Sequence, residues 1–383
     1  MRKRRIAVIT AARATYGYSK RLMKLIKKSK RSELQLVVTG MHLMKRFGYT
    51  INEIKRDGLK PAATVDMTVR HDTALEWTRS LGIEIQGMAR VFDRLDPDVV
   101  LLSGDRAEML GAAVAACYMN KIVAHIQSGD LSGHIDGSAR HAITKLAHIH
   151  FPACQDSADR VIKMGEERWR VFNVGAPQLD EVVQGKKLSK EEIKRIFKCD
   201  FSKPVLLIIQ HPVLYEMDKS ARQMNETLAA ARLSGYETIV IYPNVDAGGQ
   251  KIIETIHRYA KHSNIKVYRN IDRPIFLSLL KYVKVLLGNS SASILEAPSF
   301  KLAAVNIGNR QIDRMCASNV IHVPNFRRHV ILKAIKYVIG NQRYQKQLKQ
   351  CRNPYGDGHS SERILKILEC VNLERFKIKR MTY

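Results

Sequence analysis

One stretch of the chain gathers His125, Asp130, His134, Asp136, His141, His148 and His150. Imidazoles and carboxylates at this density can pass protons or hold a metal ion. His141 and His148, seven residues apart, would share one helix face, but neither HExxH nor another compact ligand pattern is present. A metal-free site is expected, with the outer histidines serving packing or interfaces. Further along, Gly288-Asn-Ser-Ser-Ala-Ser293 follows an apolar run and precedes a helical pattern. Backbone N–H groups and hydroxyls in that setting can meet a phosphate at the positive end of a helix dipole. A ligand-free N-cap fits the same residues, because Ser and Asn are favoured caps. Glu296, in the first turns of that helix, can accept from ribose hydroxyls or simply favour the helix start.

The elements that would carry these groups alternate regularly. Buried strands are expected at Arg5–Thr10, Leu34–Thr39, Asp98–Ser103 and Lys121–Ile126, with helices at about 72–94 and 106–119. After a polar segment from Gln184 to Lys203 the pattern restarts, with strands at Pro204–Ile209, Glu237–Tyr242, Lys284–Gly288 and Leu302–Asn306. Such alternation implies parallel sheets covered by helices on both faces, in two doubly wound halves joined near residues 180–203. Ligands in such sheets sit beyond the carboxyl ends of the strands. Those ends carry Ala12-Arg-Ala-Thr-Tyr-Gly17, Gly40-Met-His-Leu43, Gly104-Asp-Arg106, His125-Ile-Gln-Ser-Gly-Asp130, His211-Pro, Tyr242-Pro-Asn-Val-Asp246 and Ile307-Gly-Asn-Arg310.

Bulk properties set the outer bounds. With 383 residues the chain exceeds what one core normally fills, so two domains are expected. No apolar window approaches a membrane span and no signal-peptide core follows Met1, which points to a cytoplasmic protein without a membrane partner. The six cysteines show no CxxC spacing and read as reduced, buried thiols. A net charge of +28 invites a nucleic-acid reading. The cations recur on helices (Lys20, Lys24, Lys27, Lys28; Lys187, Lys190, Lys194; Lys333, Lys336) instead of forming one arm, so solvated helix faces that help attract an anionic substrate are the better reading. The first strand-to-helix turn lacks GxGxxG and no P-loop occurs, which disfavours a nicotinamide enzyme or an ATPase.

Taken together and in order, Arg13-Ala-Thr-Tyr-Gly, Thr39-Gly-Met-His-Leu with Phe47-Gly-Tyr-Thr, Gly104-Asp-Arg, His125-Ile-Gln-Ser-Gly-Asp, His134-Ile-Asp-Gly-Ser-Ala-Arg-His-Ala-Ile-Thr-Lys145, Gln210-His-Pro-Val, Gly288-Asn-Ser-Ser, Gly308-Asn-Arg-Gln and Asn353-Pro-Tyr-Gly-Asp-Gly358 resemble the hydrolysing UDP-N-acetylglucosamine 2-epimerases of sialic and legionaminic acid synthesis. The resemblance spans nearly the whole chain. It implies a GT-B fold of two Rossmann-like domains facing a cleft: residues 1–183 on the sugar side, 184–360 on the nucleotide side, and 361–383 as a helix (about 361–372) and tail returning to the first domain. Gly40-Met-His-Leu-Met-Lys-Arg-Phe-Gly48 is of the hydrolysing type, where the non-hydrolysing enzymes carry a Gln-His-Arg-Glu-like stretch. A nucleotide-sugar partner, no cofactor and a homodimer or homotetramer are implied.

The implied reaction removes the C2 proton, expels the diphosphate from C1 to leave a 2-acetamidoglucal, and then adds water while C2 regains a proton on its opposite face. By resemblance Asp105 and Asp136 transfer protons or activate water, and His211 positions or protonates the diphosphate. Arg13, Ser290, Ser291 and Arg310 hold phosphate and Glu296 the ribose. His42, Arg106, Arg140, Asn244 and Arg273 are further substrate-binding candidates, with Arg273 where relatives stack an aromatic ring on uracil. Two positions depart from the family: Gln127 stands where several members have Glu, and Thr15 where they have an acid. A Gln cannot exchange a proton, which makes Asp130 the nearest replacement. Three alternatives stay open: the same reaction on a UDP- or GDP-linked 2,4-diacetamido-6-deoxyhexose, a GT-B glycosyltransferase or inactive nucleotide-sugar binding protein, and, more weakly, a nucleic-acid module.

Overall fold

Eight apolar runs form the interiors of two parallel sheets, as their burial on both faces requires. The computed structural model describes residues 2–45, 48–67, 73–131, 135–243, 248–380 and 382. The chain divides into one unit of Met1–Glu181 with Tyr355–Tyr383 and a second of Val182–Pro354.

Among the described residues, the first unit's sheet contains β1 (Arg4–Thr10), β2 (Ser32–Thr39), β3 (Ala63–Val65), β4 (Val99–Ser103), β5 (Ile122–Ile126) and β6 (Ile149–Phe151), in the order β3-β2-β1-β4-β5-β6. The second unit's sheet contains β7 (Val205–Ile209), β8 (Glu237–Ile241), β9 (Ile265–Tyr268), β10 (Val285–Gly288), β11 (Ala303–Ile307) and β12 (Val320–Val323), in the order β12-β11-β10-β7-β8-β9. Counted from each unit's own first strand, the two orders are the same doubly wound 3-2-1-4-5-6 arrangement. Strand order reverses between β1 and β4 in one unit and between β7 and β10 in the other. Crevices for ligands open at the carboxyl ends of such pairs.

Helices cover both faces of each sheet. In the first unit Leu22, Ile26, Ile364 and Leu368 pack with Ile6, Val8 and Leu36 on one face, and Met88, Phe92, Met109 and Ala113 pack with Ala7, Ile9 and Val100 on the other. In the second, Met224, Leu228, Ile252, Ile331 and Ile335 cover Leu206, Ile208 and Val285. The expected helices appear as Ala74–Leu95 and Ala107–Tyr118. Thr73 caps the first, accepting from the Glu76 N–H at 3.3 Å. The chain returns to the first unit at Tyr355, ahead of the expected 361, because the Tyr355 carbonyl already accepts from Ala176 N–H at 2.7 Å. Asp180 then caps the returning helix Ser360–Cys370, accepting from the N–H groups of Ser360 and Ser361 at 2.8 and 2.7 Å.

Three local expectations are corrected. Only Cys154, Cys199 and Cys351 are buried; Cys117 and Cys316 are partly accessible and Cys370 is exposed. His148 shares no helix face with His141, because the helix Ile135–Leu146 ends before it and His148 Nδ1 accepts from Val123 N–H at 3.1 Å. The helix after Gly288 is a single turn, Ala292–Leu295. Pro298 explains the stop, since its ring opposes the carbonyl four residues back and it offers no N–H. No helix among the described residues is long and apolar enough to cross a membrane.

Candidate active site

In the first unit the loops after β4 and β5 bring Asp105 and Asp130 to Arg140 on the helix Ile135–Leu146. Arg140 is 7% exposed; one terminal nitrogen bonds Asp105 Oδ2 and the other lies 3.7 Å from Asp130 Oδ2. Asp130 is 3% exposed and its Oδ1 accepts from Ser157 Oγ at 2.6 Å. Its buried Oδ2 has no hydrogen-bond partner among the described residues. An oxygen left in that state costs about 1–3 kcal/mol, so the arrangement suits a group that meets something else. Gly129 permits it: with φ +75°, a Cβ there would lie 2.3 Å from the Ser157 carbonyl oxygen.

His125 ties the two loops to the helix Ile135–Leu146. Its Nε2–H donates to the Gly104 carbonyl at 2.7 Å, and its Nδ1 lies 3.3 Å from Thr144 Oγ1, which donates to the Arg140 carbonyl at 2.9 Å. Burial pushes its imidazole down to about 3, so the ring is neutral and structural. Gln127 adopts φ +61°, sparsely populated for a residue with a Cβ, and its side-chain oxygen lies beside Gly104. Asp136 belongs to the first turn of that helix, and its side chain lies outside the described residues.

At the ends of β1 and β2, His42 is fully buried. Its Nε2 lies 3.1 Å from Thr10 Oγ1 and its Nδ1 2.6 Å from Thr50 Oγ1. Burial holds its imidazole down near about 4. Thr15 Oγ1 accepts from the N–H groups of Ala11 and Ala12, both at 3.1 Å, the capping task an acid would also perform there. Arg13 is exposed and paired with Glu53 at 2.5 Å. Arg106 pairs with buried Glu108 at 3.1 Å.

In the second unit the ends of β7 and β10 are pinned together. Asn289 Oδ1 accepts from His211 N–H at 2.7 Å and Asn289 Nδ2 donates to the His211 carbonyl at 2.9 Å. Arg310 Nη1 and Gln311 Nε2 both donate to the Asn289 carbonyl, at 3.1 and 2.9 Å. Gly288 makes the close crossing possible: at φ +119°, a Cβ would stand 2.2 Å from the Ile209 carbonyl oxygen. His211 is 7% exposed, and burial with the Arg310 charge pushes its imidazole down to about 3. A neutral imidazole donates a hydrogen bond but has no spare proton to give. Ser290 and Ser291 follow directly, although the one-turn helix behind them offers little dipole. Arg273 Nη1 donates to Glu296 Oε1 at 2.9 Å, and the buried Glu296 Oε2 has no hydrogen-bond partner among the described residues. Asn244 lies outside the described residues.

Several supports were invisible in sequence. Ser157 and Thr144 meet Asp130 and His125 only through the fold; nothing near Ser157 marks it, and Thr144 stood inside a recognised string without a role of its own. Asn289 and Gln311 stood inside recognised strings, where the reversal of strand order alone could have singled them out.

Two doubly wound units with polar groups gathered at each reversal of strand order place the chain in the GT-B class. It matches the UDP-N-acetylglucosamine 2-epimerase family over residues 24–369 and belongs to that family. It is 37% identical, over 97% of both chains, to the UDP-N,N'-diacetylbacillosamine 2-epimerase (hydrolyzing) of Legionella pneumophila. To a UDP-N-acetylglucosamine 2-epimerase of Neisseria meningitidis it is 34% identical over 83% of both chains. In fold it resembles the crystal structure of the UDP-GlcNAc 2-epimerase from Neisseria meningitidis bound to UDP-GlcNAc, with TM-score 0.80 and 17% identity over 95% of this chain and 99% of the other.

Proposed function

We propose that the chain is a hydrolysing 2-epimerase that converts a UDP-linked 2-acetamido sugar into free C2-epimerised sugar and UDP. The observation that carries this reading is the Asp105–Arg140–Asp130 cluster at the carboxyl ends of β4 and β5, in which Arg140 and Asp130 are buried and Asp105 is partly accessible. Asp105 takes the C2 proton as the C1–O bond breaks and the diphosphate leaves with the bonding pair. Water then adds at C1 and gives up a proton to Asp130, while Asp136 returns a proton to the opposite face of C2. Gln127 orients this loop without exchanging protons. Asp105 and Asp130 flank one guanidinium, which holds the two carboxylates beside each other at one site.

The departing diphosphate needs positive charge and N–H donors. Arg310, Ser290 and Ser291 supply them, and neutral His211 adds a hydrogen bond. Glu296 receives the ribose hydroxyls through Oε2, with Arg273 holding its other oxygen. The Glu53 and Glu108 pairs on Arg13 and Arg106 exchange for substrate contacts when the sugar nucleotide binds.

For the substrate, the match to the Legionella enzyme along both full chains favours UDP-N,N'-diacetylbacillosamine. UDP-N-acetylglucosamine is the second reading, favoured by the Neisseria relative. Incubating the purified chain with each and separating the products tests both. Release of UDP and free sugar from the diacetamido substrate at the higher kcat/KM is expected; both sugars recovered intact would overturn the reading.

A further inference from the structure

The chain's last residues lie beyond 369, where the family match ends, and they are fastened to the first unit on both sides of Lys379. On one side Arg170, fully buried, donates through Nη1 to the Phe376 carbonyl at 3.1 Å and through Nη2 to that of Ile378. Its guanidinium stacks 4.2 Å from the Trp169 ring centre, and Arg375 lies 4.1 Å from the same ring. On the other side Thr382 N–H donates to the Gly165 carbonyl at 2.9 Å.

Between these anchors the Lys379 ammonium turns inward. It reaches the carbonyls of Thr144, Lys145 and Ala147 at 3.3, 2.5 and 2.8 Å, and Glu166 Oε2 at 2.8 Å. The carbonyls belong to the end of the helix Ile135–Leu146 and the residue after it, where intrahelical partners run out. A cation at that end also meets the negative pole of the helix. Glu166 is fully buried, forms an ion pair with Lys145 Nζ at 2.8 Å and accepts from His150 Nε2–H at 3.0 Å. Burial opposes its charge, yet these donors hold its carboxyl down to about 2.

The same helix carries Arg140 one turn earlier. A helix of 12 residues is marginal by itself, so tertiary contacts decide where its side chains point. We propose that Lys379 is a positioning residue: the C-terminal strap caps the helix Ile135–Leu146 and thereby sets Arg140 between Asp105 and Asp130. Its consequence for turnover rests on the reading under Proposed function, whereas its consequence for the helix does not.

Lys379→Met keeps an unbranched side chain one atom shorter and removes the charge. In the full chain, amide hydrogen exchange across 135–146 is expected to quicken about tenfold, with the second unit unchanged. Turnover is expected to fall about 10- to 100-fold in kcat with KM within about threefold, since a small misplacement of a charged group suffices. Lys379→Arg should restore most of it. The kcat loss should shrink to about twofold or less when Arg140→Lys is already present, because the two changes act through one group. Equal fractional losses in both backgrounds, or native exchange and kcat in Lys379→Met, would overturn the proposal. Arg375→Ala with Thr382→Pro loosens the strap while leaving Glu166 paired, and serves if Lys379→Met fails to fold. The same pattern at lower amplitude is expected, and native exchange across 135–146 would count against the strap. If the wild-type chain turns over neither sugar nucleotide, the functional reading fails and the exchange comparison decides the strap alone.

Discussion

The guanidinium of Arg140 stands 3.7 Å from Asp130 Oδ2 while its other terminal nitrogen bonds Asp105, so one buried cation joins the loops after β4 and β5. Removing one member of such a group leaves buried charge uncompensated, at a cost of about 3–5 kcal/mol. Arg140→Met is therefore expected to lower the thermal midpoint and to cut turnover by at least about 100-fold, the scale of a misplaced general base. Calorimetry and initial rates check it. Native turnover in this variant would remove the cluster from the mechanism.

Asn289 spans the crossing in the second unit with one accepted and one donated hydrogen bond to the His211 backbone. Asn289→Ala removes both of these bonds to the His211 backbone, each worth about 0.5–1.5 kcal/mol. Titration calorimetry with UDP is expected to show affinity weakened by about tenfold or more, about 1.4 kcal/mol. Affinity equal to wild type would mean that the β7 and β10 ends do not hold the nucleotide.

How far the sequence revealed this arrangement follows from burial. The eight interior strands showed as apolar runs, because a parallel strand covered on both faces must be apolar throughout. The four strands missed, β3, β6, β9 and β12, are the sheet edges. Ala63-Thr-Val65 and Ile149-His-Phe151 are too short to show a pattern, and Lys266 and His322 interrupt the other two. Among site residues, Asp105, Asp130 and Arg140 were named individually; their meeting was not legible, since it depends on a helix docking across two loops. The pairing of Arg273 with Glu296 joins two residues that sequence had assigned separately to base and ribose.

Buried neutral imidazoles set the acid limit. Burial holds His42 and His148 at about 4 and His125 and His211 at about 3, against an ordinary 6.5. Between those values the unfolded chain binds protons that the folded chain refuses, so their contribution is complete above 6.5 and is lost as pH falls. The thermal midpoint is expected to drop steadily from about pH 6.5 toward about pH 4. His42→Gln, which cannot titrate, should flatten part of that slope; an unchanged slope would place the proton uptake elsewhere.

The alkaline limit has a different origin. Burial, and then the nearby Glu108 carboxylate, push the Glu84 carboxyl up to about 9 from 4.5. A raised acid contributes stability that is complete below 4.5 and lost as pH climbs toward about 9. Glu84→Gln should match wild type at about pH 5 and exceed its thermal midpoint at about pH 8.5. Parallel curves for the two proteins would show that Glu84 titrates in the folded chain as it does in the unfolded one.

The most direct test of C2 deprotonation by Asp105 is a proton NMR time course in D2O with UDP-N,N'-diacetylbacillosamine, run on wild type and Asp105→Asn. Free epimerised sugar carrying deuterium at C2, released by wild type and absent with Asp105→Asn, is the expected result. Free sugar that keeps its C2 proton, or undiminished deuterated product from Asp105→Asn, would contradict it.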